Sequence, residues 1–329
     1  MEAIYAGSNS EAWKKSRIQI YGWEDFSFNL STSRNTTLGP NANFPLIYDL
    51  RPNRIEQNQF VLYIERIPDE FQTDHIDWGF RISAVYGLDY RFMISRGLFS
   101  DQLLKHNNYY GFDNYTQTGI FTTTKIDNQW TIQVGISNGT DVALWQDDPG
   151  NLPTGTVMIQ WTSPNQRDSV YFGDNAFNNG EFGYNNLQQI VGTWTHKFND
   201  KIYTATEGLY MYMNDATTGP TKDVPFQNGS FPVKPGYAPE WGVLNYTMFR
   251  IAPAAFFTVR NEFYDDIVGS RTGHATSYSE HSIGITWWPN KIVTVRPELR
   301  FDHSYDVPAF NNGTRKNQFV FSTDFIIHY

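Results

Sequence analysis

Apolar and polar residues alternate with a period of two from Arg17 to the last residue. Val293, Val295, Leu299 and Phe301 alternate with Thr294, Arg296, Glu298, Arg300 and Asp302. Phe319, Phe321, Phe325 and Ile327 alternate with Gln318, Ser322, Asp324 and His328, and Phe257, Val259 and Phe263 with Thr258, Arg260 and Glu262. Each run predicts a strand with one apolar and one polar face. Helical periodicity stands out only over Phe99 to His106 (FSDQLLKH), where Ser100 is placed to cap a short helix.

The predicted connections alternate between short and long. Short ones fall at Asp127–Asn128, Ser163 to Asp168, Asn199–Asp200, Ala252 to Ala254 and Pro289–Asn290. Long ones run Ser31 to Arg54, Gly87 to Asn114, Asn138 to Pro153, Asp174 to Asn186, Asn214 to Glu240, Asp265 to Thr276 and His303 to Thr314. Between them fit 14 strands, near 17–30, 56–67, 76–87, 115–125, 129–138, 154–163, 169–174, 187–198, 201–213, 241–251, 254–264, 277–288, 291–302 and 315–329. A soluble sandwich has no reason to alternate so strictly. An outer-membrane barrel does, with tight periplasmic turns, long external loops and an even strand count that leaves both termini on the short-turn side.

Trp78, Trp130, Trp161, Trp194, Trp287 and Trp288 each lie within a few residues of a short connection. An aromatic girdle at the periplasmic interface has this placement, because indole prefers the headgroup level. The last strand puts Phe319, Phe321, Phe325, Ile327 and Tyr329 on one face and ends in an aromatic. That is the form of terminal strand read by the outer-membrane assembly machinery.

Composition agrees with two differently solvated faces. Only 18% of residues are charged and 17% are aromatic, yet mean hydropathy is -0.50. Disordered chains lack such aromatic mass. The net charge of -9 argues against a nucleic-acid partner. The absence of Cys removes disulfides, thiolate metal sites and thiol nucleophiles. Met1 to Lys15 carries no apolar core of signal-peptide type. The longest nearly apolar stretch, Ile251 to Val259, is far short of the roughly 20 residues of a spanning helix.

From about Arg17 to Tyr329 the chain resembles the putative β-barrel porin-2 family of OmpL-like outer-membrane proteins. The matching stretches are IYGW at 20–23, DLRPN at 49–53, WGFRISAVYGLDYRF at 78–92, GLFSDQLLKHNNYYGFD at 97–113, YTQTG at 115–119, LNYTMF at 244–249 and GTRK at 313–316. The family carries a further segment, long enough for a hairpin, between the FD and YTQTG stretches. Here only Asn114 separates Asp113 from Tyr115. The resemblance therefore implies an up-and-down barrel of 16 strands with that hairpin and 14 without it.

Candidate chemistry is sparse. Gly135-Ile136-Ser137-Asn138-Gly139 matches GxSxG, but no helical pattern follows it, so it reads as a strand ending in an Asn-Gly turn. Asp174 to Glu181 is loosely calcium-like without the full loop spacing. The His residues show no HExxH pair. No catalytic residue, metal or cofactor is expected.

The charges on the polar face say more. A charged side chain facing lipid near mid-membrane costs about 2–4 kcal/mol for Arg or Lys. Asp25, Glu65, Arg81, Glu207, Arg260, Glu262, Arg296, Glu298, Arg300 and Asp324 are therefore expected to line a lumen with a transverse field. The loop 87–114 is expected to fold inward as a constriction, presenting Phe99, Asp101, Gln102, Lys105 and His106.

The expected organisation is an N-terminal periplasmic segment, 1–16, and a single barrel domain, 17–329. The expected function is an outer-membrane porin of a Gram-negative bacterium, a passive channel for small hydrophilic solutes or ions. The expected surroundings are the lipid bilayer and lipopolysaccharide, with a homo-oligomer allowed. Two alternatives stand beside it: a barrel with a binding or enzymatic role at its external loops, and a soluble secreted β-sheet protein that binds glycans.

Overall fold

A computed structural model describes residues 10–35, 37, 39–44, 46, 49–67, 77–88, 119–138, 153–178, 187–214 and 237–329. A short helix, α1 (Ser10–Ser16), precedes the strands. Glu11 lies in its first turn and Lys14 and Lys15 in its last, the charge order that complements a helix dipole. Strand periodicity does not reach this far, and the sequence reading missed the helix.

Fourteen strands follow: β1 (Ile18–Ser31), β2 (Ile55–Arg66), β3 (Phe80–Tyr86), β4 (Gly119–Lys125), β5 (Trp130–Ser137), β6 (Thr154–Thr162), β7 (Asp168–Phe177), β8 (Gln188–Lys197), β9 (Ile202–Asn214), β10 (Tyr237–Ala252), β11 (Ala255–Asp266), β12 (Thr276–Trp287), β13 (Val293–Ser304) and β14 (Asn317–His328). They form one antiparallel sheet in the order β3-β2-β1-β14 and then down to β4. Sequence neighbours pair except β3 and β4, and the first strand pairs the last, Trp23 opposite His328 and Phe26 opposite Phe325. The edges of the described sheet are β3 and β4, which residues 87–118 connect. β7 runs to Phe177, three residues beyond the sequence-based boundary at 174.

One device closes several of the short connections. The Asp127 carboxylate accepts from the backbone N–H groups of Gln129 and Trp130 at 2.7 and 2.8 Å. Asn199 accepts from Lys201 and Ile202 at 2.8 and 3.0 Å, and Asn290 from Ile292 and Val293 at 2.8 and 2.9 Å. These are Asx turns, in which a short side chain replaces a backbone acceptor.

The sheet is inverted relative to a soluble protein. Apolar side chains such as Ile136, Phe172, Ile283, Leu299 and Phe319 are exposed on its outer face. The buried inner face carries Asp25, Asn29, Glu65, Arg260, Glu280, Arg300, Asp302 and Asp324. An outer surface of this kind is stable only against lipid.

At the long-loop end, three loops turn inward. In the β1–β2 loop, Asp49 accepts hydrogen bonds from Ser27, Asn29 and Ser322 at 3.3, 3.3 and 3.0 Å. In the β11–β12 loop, the Asp266 carboxylate accepts from the backbone of Ser270, Arg271 and Thr272. The β13–β14 loop holds a single turn, α2 (Phe310–Gly313), whose Asn311 (φ 55°, ψ 47°) and Asn312 (φ 54°, ψ 51°) are left-handed. Asn and Gly tolerate that region where most side chains do not, so Asn-Asn-Gly suits the turn. The turn drives Phe310 into an apolar cluster inside the barrel with Leu187, Leu209, Met211, Leu244, Tyr264 and Tyr278.

Candidate functional site

The inner face has two unlike walls. Along β10–β14, charges are buried and paired. Arg260 is its centre: Nε and Nη2 donate to Glu280 at 3.0 and 2.9 Å, Nη1 and Nη2 donate to Glu298 at 3.2 and 3.1 Å, and Nε lies 3.2 Å from Glu262. Its guanidinium also lies 5.7 Å from the centre of the Tyr246 ring. Three carboxylates crowd one cation whose planar fork can serve several oxygens at once. Arg296 grips Asp324, and Arg300 lies 2.6 Å from Asp302. Ser27, Asn29 and Asn58 carry this polar wall onto β1 and β2.

Along β4–β8 the wall is uncharged over most of its length and more open. The side chains there include Thr123, Gln133, Gln160 and Thr193, joined by exposed hydrogen bonds such as Gln133 to Thr123 at 3.1 Å. Glu207 ends this wall and accepts from Thr193 at 2.6 Å. Between the walls lies the Glu65–Arg81 pair at 2.5 Å, with Tyr21 donating to the same carboxylate at 2.9 Å.

The ten residues expected to line the lumen fall on one face of the ladders, on which Asp25, Glu65, Arg260, Glu262, Arg300 and Asp324 are buried. The transverse field expected of them is not the arrangement found. Most opposite charges pair locally on one wall, because β11, β13 and β14 place Arg and carboxylate in adjacent or opposing inner positions. Glu280, Asp302, Glu240 and Asp266 join the wall and were not among the candidates. Parity could have found Asp302, on the polar face of the predicted strand 291–302; Glu240 and Asp266 fall in predicted connections. Thr276 to Ser282 is polar on both faces, so alternation shows there only through Ile283, Ile285 and Trp287. Arg271 reaches inward to Glu240 from the β11–β12 loop, at 3.5 Å. His274 in the same loop is held below its ordinary pKa by burial.

The expected constriction residues Phe99, Asp101, Gln102, Lys105 and His106 lie outside the described residues. Inward-turning loops are described elsewhere, at 32–54, 267–275 and 305–316. The first and last are tied together: Asn311 accepts from the backbone N–H groups of Arg34 and Asn35 at 2.6 and 2.7 Å. Ser137, the middle of GxSxG, is buried in β5, 2.7 Å from the Thr154 hydroxyl. The six Trp sit toward the short-turn end of their strands, and Trp78, Trp130, Trp194, Trp287 and Trp288 are exposed. Arg66 lies over Trp78 at 4.8 Å.

Residues 101–329 match the family described as putative beta-barrel porin-2, OmpL-like. No curated protein matches the chain. Among solved structures, a loop L8 deletion mutant of OmpT, an outer membrane protein of Vibrio cholerae, is 9% identical with a TM-score of 0.56, over 95% of this chain and 99% of that one. A porin refined at 1.8 Å resolution is 9% identical with a TM-score of 0.51, over 94% and 100%. In-vitro folded Vibrio cholerae OmpT in trimer form is 8% identical with a TM-score of 0.51, over 95% and 99%. At these identities the likeness is one of fold.

Proposed function

The chain belongs to the putative beta-barrel porin-2, OmpL-like family, and from that premise we propose that it passes small hydrophilic solutes and ions along one side of its lumen, past β4–β8. It is an outer-membrane porin channel of a bacterium; the path and its lining are the proposal. The contrast between the two walls carries it. On β10–β14, Arg260, Glu262 and Glu280 are buried, whereas Gln160 on the opposite wall is exposed. Water and solute follow the wall whose polar groups are still open to solvent.

Thr, Gln and Ser on that wall offer both donors and acceptors without a fixed charge. That chemistry suits uncharged hydrophilic solutes and hydrated ions alike, and binds neither tightly. Family and fold support a non-catalytic role. The fold, with its apolar outer face, also argues against the soluble glycan-binding reading. The segment FSDQLLKH remains a candidate constriction, and deleting Leu98 to His106 should then raise single-channel conductance.

Planar-bilayer recordings test the path. Gln133→Trp and Gln160→Trp each project bulk into the proposed passage and should lower single-channel conductance severalfold. Ser322→Trp, on the packed wall, should leave the conductance of whatever folds unchanged. Equal effects at both walls would overturn the one-sided path.

A further inference from the structure

Polar groups on the outside of the barrel point to a second protein surface. The outer faces of β5 and β6 are apolar, with Ile132, Val134, Ile136, Val157 and Ile159 in register. On β9–β12 the ladder instead sets Thr206 opposite Asn245, Asn245 opposite Asn261, and Asn261 opposite His281. These four side chains form a continuous row on the face that also carries Val243, Val259 and Ile283.

The row lies within the apolar band and not at its rim. On its short-turn side the Phe249 and Phe257 rings are 6.2 Å apart. On its long-loop side Trp241, Phe263 and Tyr305 form a chain of rings at 5.1 and 6.3 Å. Aromatics at both ends of a strand mark the two interfaces of a bilayer, so the row between them faces acyl chains. Acyl chains neither donate nor accept hydrogen bonds, and lipid headgroups stop at the rim.

Asn245 is satisfied within the chain: its amide donates to Thr206 at 2.8 Å and Thr204 at 3.0 Å. Asn261 and His281 are only half satisfied. His281 Nδ1 lies 2.8 Å from Asn261 Oδ1. An amide oxygen only accepts, so in this pairing Nδ1 carries the proton, and in the neutral ring Nε2 is then an acceptor. The Asn261 amide nitrogen is left as a donor. Both side chains are exposed, and neither of these atoms has a partner among the described residues.

We propose that the outer face of β9–β12 packs against a second copy of this chain in the membrane. One donor and one acceptor side by side are self-complementary: a second copy presents the acceptor that Asn261 lacks and the donor that His281 lacks. Polar side chains between helices hold membrane proteins together in the same way. The proposal rests on the outer-membrane location and is independent of the solute path.

The chain has no Cys, so an introduced one is unique. Asn261→Cys and His281→Cys, co-expressed and oxidised in outer-membrane vesicles, should give a disulfide-linked pair of chains. Val157→Cys on β6 should not. In mild detergent the wild-type chain should run as an oligomer. The triple variant Asn245→Leu, Asn261→Leu, His281→Leu should run as a single chain with unchanged conductance per channel. A wild-type protein that runs as a single chain and fails to cross-link would overturn the proposal. So would equal cross-linking at Val157, or an unchanged oligomer in the triple variant. Loss of bound lipopolysaccharide without a change in oligomer mass would assign the face to lipid instead. If the triple variant does not fold, the cysteine arm decides alone.

Discussion

Arg296 and Asp324 face each other directly across the β13–β14 ladder, and the guanidinium reaches both carboxylate oxygens, at 2.9 Å from Nε and 2.6 Å from Nη2. Together with Arg300 and Asp302, this pair cancels much of the charge on one wall. Replacing Arg296 and Arg300 by Gln leaves Asp324 and Asp302 unopposed, while Glu298 keeps Arg260. With a net charge of -9, the wild-type channel should show a weak cation preference that fades as salt rises, since the field of surface charge reaches only about 8 Å at physiological ionic strength. In the double variant, the reversal potential in a salt gradient should move further toward the cation limit. A strongly anion-selective wild type would contradict the acidic net field.

Arg260 is the least replaceable of the wall's cations. Arg260→Met would leave Glu262, Glu280 and Glu298 together without their shared hydrogen-bonded cation. Removing one partner of a buried pair typically costs about 3–5 kcal/mol. Urea unfolding from vesicles should show a loss of unfolding free energy of that size. A shift below about 1 kcal/mol, the range of a surface ion pair, would mean that water already screens the cluster.

Phe310 should behave as a core residue although it sits in a loop. It is fully buried, so Phe310→Ala should cost about 3–5 kcal/mol through the lost contacts and the cavity. Asn311→Ala should act differently. It removes the acceptor for two backbone N–H groups of the β1–β2 loop, at a cost of about 1–3 kcal/mol. Its readout is electrical: the two loops separate and the open-channel current becomes larger and noisier. A silent recording would mean that the loops stay together without this tie.

His274 supplies a pH signature. Its folded pKa lies below the ordinary value of about 6.5. The unfolded loop therefore binds the proton more readily, and stability from burying the neutral ring is complete above about 6.5 and declines as pH falls below it. Protection of amides 267–275, corrected for intrinsic exchange, should fall between pH 7.5 and 5. His274→Asn should flatten that dependence.

The barrel was legible because its two faces meet opposite solvents. Leu299 and Arg300 cannot exchange places without putting an Arg into lipid, so parity alone assigned Arg260, Arg296, Arg300 and Asp324 to the interior. Parity is silent where both faces are polar, and Glu280 beside Ser279 and His281 escaped for that reason. It is silent again in loops. Nothing local to Asp49 or Phe310 says that they turn into the barrel, because their partners Ser322 and Tyr278 are distant in sequence. The sequence pattern showed which charges face inward. It did not show that they neutralise one another on the same wall, which depends on the register between β11, β12 and β13.

The pairing of the first strand with the last sets an order of events. Trp23 cannot meet His328 until nearly the whole chain has been made and the intervening hairpins laid side by side. Each of those hairpins is a local contact that forms without a long search, whereas the β1–β14 ladder closes the longest loop the chain has. Until that ladder zips, Ile18–Ser31 and Asn317–His328 are raw edges, open to adventitious strands from other nascent chains. The slow, vulnerable step in the life of this protein is thus the closing of one seam, and substitutions in β1 or β14 should be felt in the yield of sealed barrels before they are felt in the conductance of those that succeed.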